Sequence, residues 1–286
     1  MAFLVKRELS ARRSCELLGV SRRWLRYAGR RGEVDPVLGR LKELAARHPR
    51  YGYRRLHVML TRELGRRGVR VNVKRVRRLC VLHGLKLSRK RRRKRRGVGT
   101  GVPCRAEYPG HVWAYDFVHD VCHDGRKLKI LTVEDEFTRR CLTIEVERRM
   151  PAAAVCRVLL RLFAEFGTPS FVRSDNGPEF IARALVKALA ERGVQCRHID
   201  PGSPWQNGLN ERFNGTLRDE CLNLETFAHR DQARAVCRLF MRHYNHERPH
   251  SSLGYLTPAR FAARHGTSAP ATPPPKSRAG TKSGTN

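Results

Sequence analysis

Apolar residues recur at helical spacing through the first third of the chain and at strand-like spacing only after residue 108. In "LSARRSCELLGVSRRWLRYAGR", Ser10 is placed to cap one helix, Gly19 to break it and Ser21 to cap the next. That cadence predicts a helix-turn-helix with Arg22, Arg23 and Arg26 on the second helix. "YGYRRLHVMLTREL" predicts another helix. "NVKRVRRLCVLHGL" predicts its partner, capped by Asn72 and stopped by Gly84. On that last helix Val73, Val76, Leu79 and Cys80 share one face, which leaves Lys74, Arg75, Arg77 and Arg78 to the outside.

Beyond residue 108 the pattern changes. "HVWAYDFVHD" alternates poorly but is rich in strand-forming residues, and "KLKILTVEDEF" and "CLTIEVE" follow as strands. Period-two alternation in the last places Leu142, Ile144 and Val146 on one face. A helix over about 151–166, a strand into Asp175, a helix over about 178–192 and a short strand in "QCRHID" complete a mixed α/β sheet. The next helix opens with Ser203 and Pro204 as cap and first-turn pair, and Leu209, Phe213 and Leu217 form its buried stripe. Glu211 then points about 160° away from that stripe, with Asn207, Asn214 and Arg218 on the same polar side. The fold class is α/β, with an all-α helix-turn-helix region in front.

Charge is divided as sharply as periodicity. The 286 residues carry a formal net charge of +33, and the first 100 hold 32 basic against 6 acidic residues, a net of +26. Such an excess repels itself unless a polyanion binds, and duplex DNA is the partner whose phosphates reward it through counterion release. The candidate contacts are Arg22, Arg23, Arg26, Lys74, Arg75, Arg77 and Arg78, with Arg218 in the second region. No apolar run is long enough to span a membrane and no signal peptide opens the chain, so a cytoplasmic, nucleoid-associated location is expected. Nine cysteines without Cys-x-x-Cys spacing fit a reducing compartment. These shifts predict a basic helix-turn-helix region over 1–86, a basic and glycine-containing linker over 87–107, a catalytic region over 108–265 and a disordered tail over 266–286.

Three acids stand out against this background. Asp116 lies inside a strand, Asp175 at a strand tip in "FVRSDNGPEF", and Glu211 on a polar helix face. A carboxylate inside a strand needs a partner or a cation. Hard oxygen ligands suit Mg²⁺, and two such ions about 3.5–4 Å apart support an in-line phosphoryl displacement. Asp120, Asp124, Asp135 and Glu220 are neighbouring acids, of which Glu220 falls on the stripe side of its helix, and His243, His246 and His250 in "HYNHERPH" lack the thiols and continuous helix of a zinc site.

"HPRYGYRRLHVML", "VWAYDFV", "LTVEDEFTRRCL", "RSDNGPEF", "NERFNGTLRDECLN" and "YNHERPHSSLGYLTPARF" occur in that order between roughly residues 9 and 265, with residues 176–210 separating Asp175 from Glu211. In these segments and that spacing the chain resembles the second-frame transposase of the IS-three group of bacterial insertion sequences, within the Asp-Asp-Glu transposases and retroviral integrases. The resemblance implies a ribonuclease-H-like catalytic core with Asp116, Asp175 and Glu211 as catalytic and metal-holding triad. Implied with it are two Mg²⁺ or Mn²⁺ ions, hydrolysis at an element end and strand transfer by the freed 3′-OH. It further implies a homo-oligomer on DNA and an upstream-frame protein as partner or fusion. The alternatives are a catalytically silent DNA-binding remnant, and a ribonuclease H or junction nuclease.

Overall fold

The computed structural model describes residues 10–23, 35–87, 105–175, 177–198 and 208–266, and the chain divides into two compact units, Met1–Ser88 and Arg89–Asn286. In the first unit, α1 (Ala11–Leu17) is capped by Ser10, whose hydroxyl accepts from the Arg13 N–H at 3.3 Å. Helix α2 (Pro36–Arg47) was not among the elements expected. Its signal is Asp35-Pro36, in which the Asp35 carboxylate accepts from the Val37 N–H at 3.0 Å and proline stands in the first turn. Helices α3 (Tyr53–Gly65) and α4 (Val73–Leu82) follow, the second capped by Asn72 as expected.

Rows at helical spacing close one small core among α2, α3 and α4. They are Val37, Leu41 and Leu44; Leu56, Leu60 and Leu64; and Val76, Leu79 and Cys80. Val73 does not join them and stays 40% exposed. It stands roughly 70° off the centre of the Val76–Leu79–Cys80 face, in a first turn that overhangs the core.

The second unit is built on a five-stranded sheet of β1 (Val112–Val121), β2 (Lys127–Asp135), β3 (Arg140–Glu147), β4 (Phe171–Ser174) and β5 (Gln195–His198), in the order β3-β2-β1-β4-β5. The first three strands are antiparallel neighbours, and β4 joins β1 in parallel, as β5 joins β4. Helices α5 (Ala152–Phe166) and α6 (Arg183–Ala190) cover one face with Trp113, Tyr115, Leu131 and Val133. Helices α7 (Gly208–Glu220) and α8 (Arg230–His246) cover the other with Val118, Leu128 and Ile130. A sheet buried on both faces has no reason to alternate, which explains the irregular pattern of β1.

Three sequence expectations shift here. In β3 the register skips from Thr143 opposite Val133 to Cys141 opposite Glu134, so Leu142 is an extra residue. That bulge puts Leu142 in the α5 core while Ile144 and Val146 lie in the α8 core. Residues 178–182 form a turn rather than the start of a helix, because Phe180 plugs into the α5–α6 core before α6 begins. In α7 the buried residues are Asn210, Phe213 and Leu217, and Leu209 is only half-buried. A strict four-residue repeat drifts by about 40° per step around a 3.6-residue helix, which carries Leu209 off the face and Asn210 onto it. Ser203, Pro204 and Asn207 lie outside the described residues.

The C-terminal motif locks this frame. The Asn245 side chain donates to the Cys141 carbonyl at 2.7 Å and accepts from the Cys141 N–H at 2.9 Å, which ties α8 to β3. Arg248 grips both Glu220 oxygens at 2.7 Å, joining the end of α8 to the end of α7. A last helix, α9 (Pro258–His265), is capped by Thr257. No helix among the described residues is long and apolar enough to cross a membrane.

Candidate active site

Strand register sets the first two acids side by side. β1 and β4 pair Val112 with Phe171 and Ala114 with Arg173. Continued past Ala114, the same offset brings Asp175 opposite Asp116, on neighbouring strands about 4.8 Å apart. In-register residues of parallel strands point to one face, and Asp116 shares its face with Val118, under α7. Asp175 leaves the tip of β4 in an exposed turn in which its Oδ1 accepts the Gly177 N–H at 2.9 Å. A side chain at Gly177 would place its Cβ 3.0 Å from that oxygen and 3.3 Å from the Phe180 ring, so the carboxylate or the ring would have to give way by a few tenths of an ångström.

Helix α7 brings the third acid. Asn214 donates from Nδ2 to Asp116 Oδ2 at 2.8 Å, and its Oδ1 accepts the hydroxyl of Thr132 at 2.9 Å. Thr132 is the direct cross-strand neighbour of Asp116. The amide therefore clamps the helix onto β1 and β2 and orients the Asp116 carboxylate, whose other oxygen accepts the Phe117 N–H at 2.7 Å. Glu211 stands three residues before Asn214, exposed in the first turn of α7, where the helix dipole favours an anion. The Asp116 carboxyl is pushed up to about 6, chiefly by burial and further by the negative charges of Asp175 and Glu211, against the hydrogen bonds from Phe117 and Asn214. Asp116 thus feels the charge of both other acids.

That field suits a divalent cation. Among the described residues no three His, Cys, Asp or Glu side chains form a compact metal-binding cluster. Mg²⁺ does not need one, since it usually takes one or two protein carboxylates and fills its octahedron with water and substrate phosphate. Hard oxygen donors whose mutual repulsion a cation would relieve are present at Asp116, Asp175 and Glu211, so the donor chemistry fits.

The neighbouring acids are accounted for by structure. Asp135 accepts from the hydroxyl and N–H of Thr138 and from the Gly110 N–H, and so shapes the β2–β3 turn. Asp120 accepts its own neighbour's N–H at Val121, Asp124 pairs with Arg126, and Glu220 belongs to Arg248. His243 sits beside Glu247 and His250 packs edge-on against Tyr244. Arg218 is exposed on α7 and donates one N–H to the His119 carbonyl at 2.8 Å.

In the first unit Arg22, Arg23, Lys74, Arg75, Arg77 and Arg78 are exposed, while Arg26 lies outside the described residues. Arg75 also pairs with Asp35 at 2.8 Å and so helps hold α4 against the start of α2.

Sequence reading missed Thr132, a threonine unremarkable among strand residues until β1 and β2 pair. It also missed Glu134, fully buried two residues further along the same strand. Burial, together with Glu136 and Asp135, pushes the Glu134 carboxyl up to about 8 against the pull of Arg139 and Arg212. The Oε2 of Glu134 and both side-chain polar atoms of Asn210 are buried, with no hydrogen-bond partner among the described residues.

The integrase core domain family matches residues 106–204, and a second family of that description matches residues 192–258. The HTH-like domain family matches residues 33–94. The chain is 43% identical over 269 residues to the 31.7 kDa protein of insertion element IS407 of Burkholderia multivorans, covering 93% of this chain and 95% of that one. It is 27% identical over 217 residues to the transposase for insertion sequence element IS904 of Lactococcus lactis, covering 71% of this chain and 85% of that one. In fold it is similar to a chain of the simian T-cell lymphotropic virus intasome bound to the PP2A regulatory subunit B56 gamma. That likeness has a TM-score of 0.50 at 19% identity and covers 85% of this chain and 80% of the other.

Proposed function

The chain belongs to the integrase-core transposases of the IS-three group of bacterial insertion sequences, and from that premise we propose that Asp116, Asp175 and Glu211 are its catalytic, metal-holding triad. A transposase is a polynucleotidyl transferase. The reaction proposed here cuts a phosphodiester at an element end by hydrolysis, frees a 3′-OH, and passes that end to target DNA. In the second step the 3′ oxygen bonds to a target phosphorus as the bond from that phosphorus to its own 3′ oxygen breaks. One observation carries the reading: Asp116 is bonded through Asn214 to the helix of Glu211, and the β1–β4 register, extended two residues past Ala114, leads to Asp175.

Mg²⁺ or Mn²⁺, as two ions held by the three acids, would supply Lewis-acid neutralisation of phosphate charge and an activated water. The chain's own part is positional. Asn214 holds the Asp116 carboxylate in one orientation, and Gly177 leaves room for the Asp175 carboxylate and the Phe180 ring on either side of it. Arg218 lies two turns along α7 from Glu211, about 10 Å at 1.5 Å rise per residue, with guanidinium N–H groups left to grip a strand phosphate. In the first unit Lys74, Arg77 and Arg78, with Arg22, Arg23 and Arg26, grip duplex phosphates. Arg75 adds charge there while bracing Asp35. Action as a homo-oligomer on DNA, with an upstream-frame protein and in the cytoplasm, belongs to the same proposal.

Asp116→Asn, Asp175→Asn and Glu211→Gln should each lower cleavage of element-end DNA at least about a thousandfold, the scale of losing a central electrostatic group. Binding of the same duplex should survive. Asp120→Asn is the control and keeps most activity. Parental cutting by any of the three variants removes that residue from the triad. A parental protein that binds ends but never cuts them in Mg²⁺ or Mn²⁺ would instead be the silent remnant.

A further inference from the structure

Asp175 has a difficulty that Asp116 does not. It follows the last residue of β4, and no helix begins until Arg183, so regular backbone pairing does not hold it. What does hold the segment lies on the opposite face of the sheet from Asp116. The Phe180 ring stacks on Phe117 with centroids 4.7 Å apart and planes within 14°, and meets Tyr115 edge-on at 4.7 Å. Glu179 pairs with Lys129 of β2, and the Lys129 ammonium sits 4.0 Å from the centre of the Phe117 ring. Lys129 and Glu179 are both largely screened from solvent, and Glu179 is held below the usual carboxylate range chiefly by its bond to Lys129. Phe117 directly follows Asp116, so the strand residue that presents one acid is flanked by the ring that anchors the segment presenting the other.

We propose that Lys129 and Glu179, with Phe117 and Phe180 between them, form a latch that positions Asp175 beside Asp116. The latch runs past the end of β4, from an anchor on the α5–α6 side back to the turn that carries Asp175. Lys129 serves both partners at once, by ion pair to Glu179 and by cation–π contact to Phe117. A charge-assisted bond in a partly dry site is worth more than its surface equivalent, and here it closes a segment that otherwise ends in open chain. Lys129 and Glu179 are positioning residues, and their catalytic meaning rests on the assignment of Asp175.

Amide hydrogen exchange on the full-length, metal-free protein tests the latch directly. The amides of Gly177, Phe180 and Ile181 are bonded within the segment, so they report its opening. Lys129→Met and Glu179→Gln should each speed their exchange by about tenfold, the change expected from losing a charge-assisted hydrogen bond, while β1 and β2 amides stay slow. The exchanged pair Lys129→Glu with Glu179→Lys should recover part of the protection, since it restores the ion pair but not the cation–π contact with Phe117. Mn²⁺ affinity, measured by titration calorimetry with Asp175→Asn as reference, should fall several-fold in both single variants. Unchanged exchange in both single variants overturns the latch and leaves Asp175 standing. Weaker Mn²⁺ binding in Glu179→Gln with tighter binding in Lys129→Met would make Glu179 a ligand and end the positioning role. Mn²⁺ affinity untouched even by Asp175→Asn would remove the acid the latch is meant to place, and the proposal with it.

Discussion

The two units carry charge in opposite ways. In the helical unit the core among α2, α3 and α4 is apolar or aromatic, and the cations stand outside it on α1, the helical start after Ser21, and α4. Its acids are consumed at the surface, Asp35 by Arg75 and Glu63 and Glu43 by Arg40. In the sheet unit three consecutive acids go inside. Glu134, Asp135 and Glu136 are each no more than 4% exposed, and among the described residues only Glu136 of the three has an ion-pair partner in close contact, Arg173 at 2.7 Å. A surface cation keeps its hydration, is screened by salt, and counts mainly through the sum to which it belongs. A buried carboxylate loses its hydration and counts through its exact neighbours. The first unit should therefore lose function gradually and additively, and the second abruptly and at single positions.

The largest effect that tests this contrast comes from many charges at once. Lys74→Ala, Arg77→Ala and Arg78→Ala together should weaken duplex binding about a hundredfold at physiological salt. They should also flatten the slope of log affinity against log salt by about 2–3, at roughly 0.9 per lost phosphate contact. Each alone should cost only a few-fold, and fluorescence anisotropy across a salt series measures both. One alanine there that costs as much as all three would break the comparison.

On the other side, Asn214→Ala should slow end cleavage about tenfold or more, in line with one hydrogen bond to a charged group, and raise the Mg²⁺ needed for half-maximal rate. Its DNA affinity should match the parent's. Single-turnover cleavage over a Mg²⁺ series decides it, and a parental profile would show that Asp116 needs no such orientation.

The most gradual effect is on stability. The Glu134 carboxyl is raised from an ordinary value near 4.5 to about 8, so between those values the folded state holds a proton that the unfolded state has lost. Stability from this group is then fully present below about pH 4.5, declines as pH rises, and is gone above about pH 8. The decline should be on the order of 1 kcal/mol per pH unit. Glu134→Gln should flatten that window in urea melts of the metal-free protein. Parallel pH curves for parent and variant would place the titration elsewhere.

Much of this molecule was legible one residue at a time. Capping residues at Ser10, Asn72 and Gly84, the burst of arginine before residue 100, and the quoted motifs are local features, and local chemistry selects helices, charge and family. The cap at Asp35-Pro36 was equally local and marks α2, although its helix was not among those expected. Other features depend on pairing between distant segments. That Asp175 lies opposite Asp116 follows from the β1–β4 register, and that Thr132 meets Asn214 follows from β1, β2 and α7 closing together. The bulge at Leu142 reverses a face that alternation assigns correctly for a regular strand, because periodicity cannot see which residue the partner strand omits. Asn210 and Glu134 look like surface residues by type, and only packing on both sides of the sheet buries them. The sequence by itself determined the elements, the cations and the three acids. The tertiary structure alone decided which acids share a face and which polar groups lose their water, because those depend on segments far apart in the chain meeting in space.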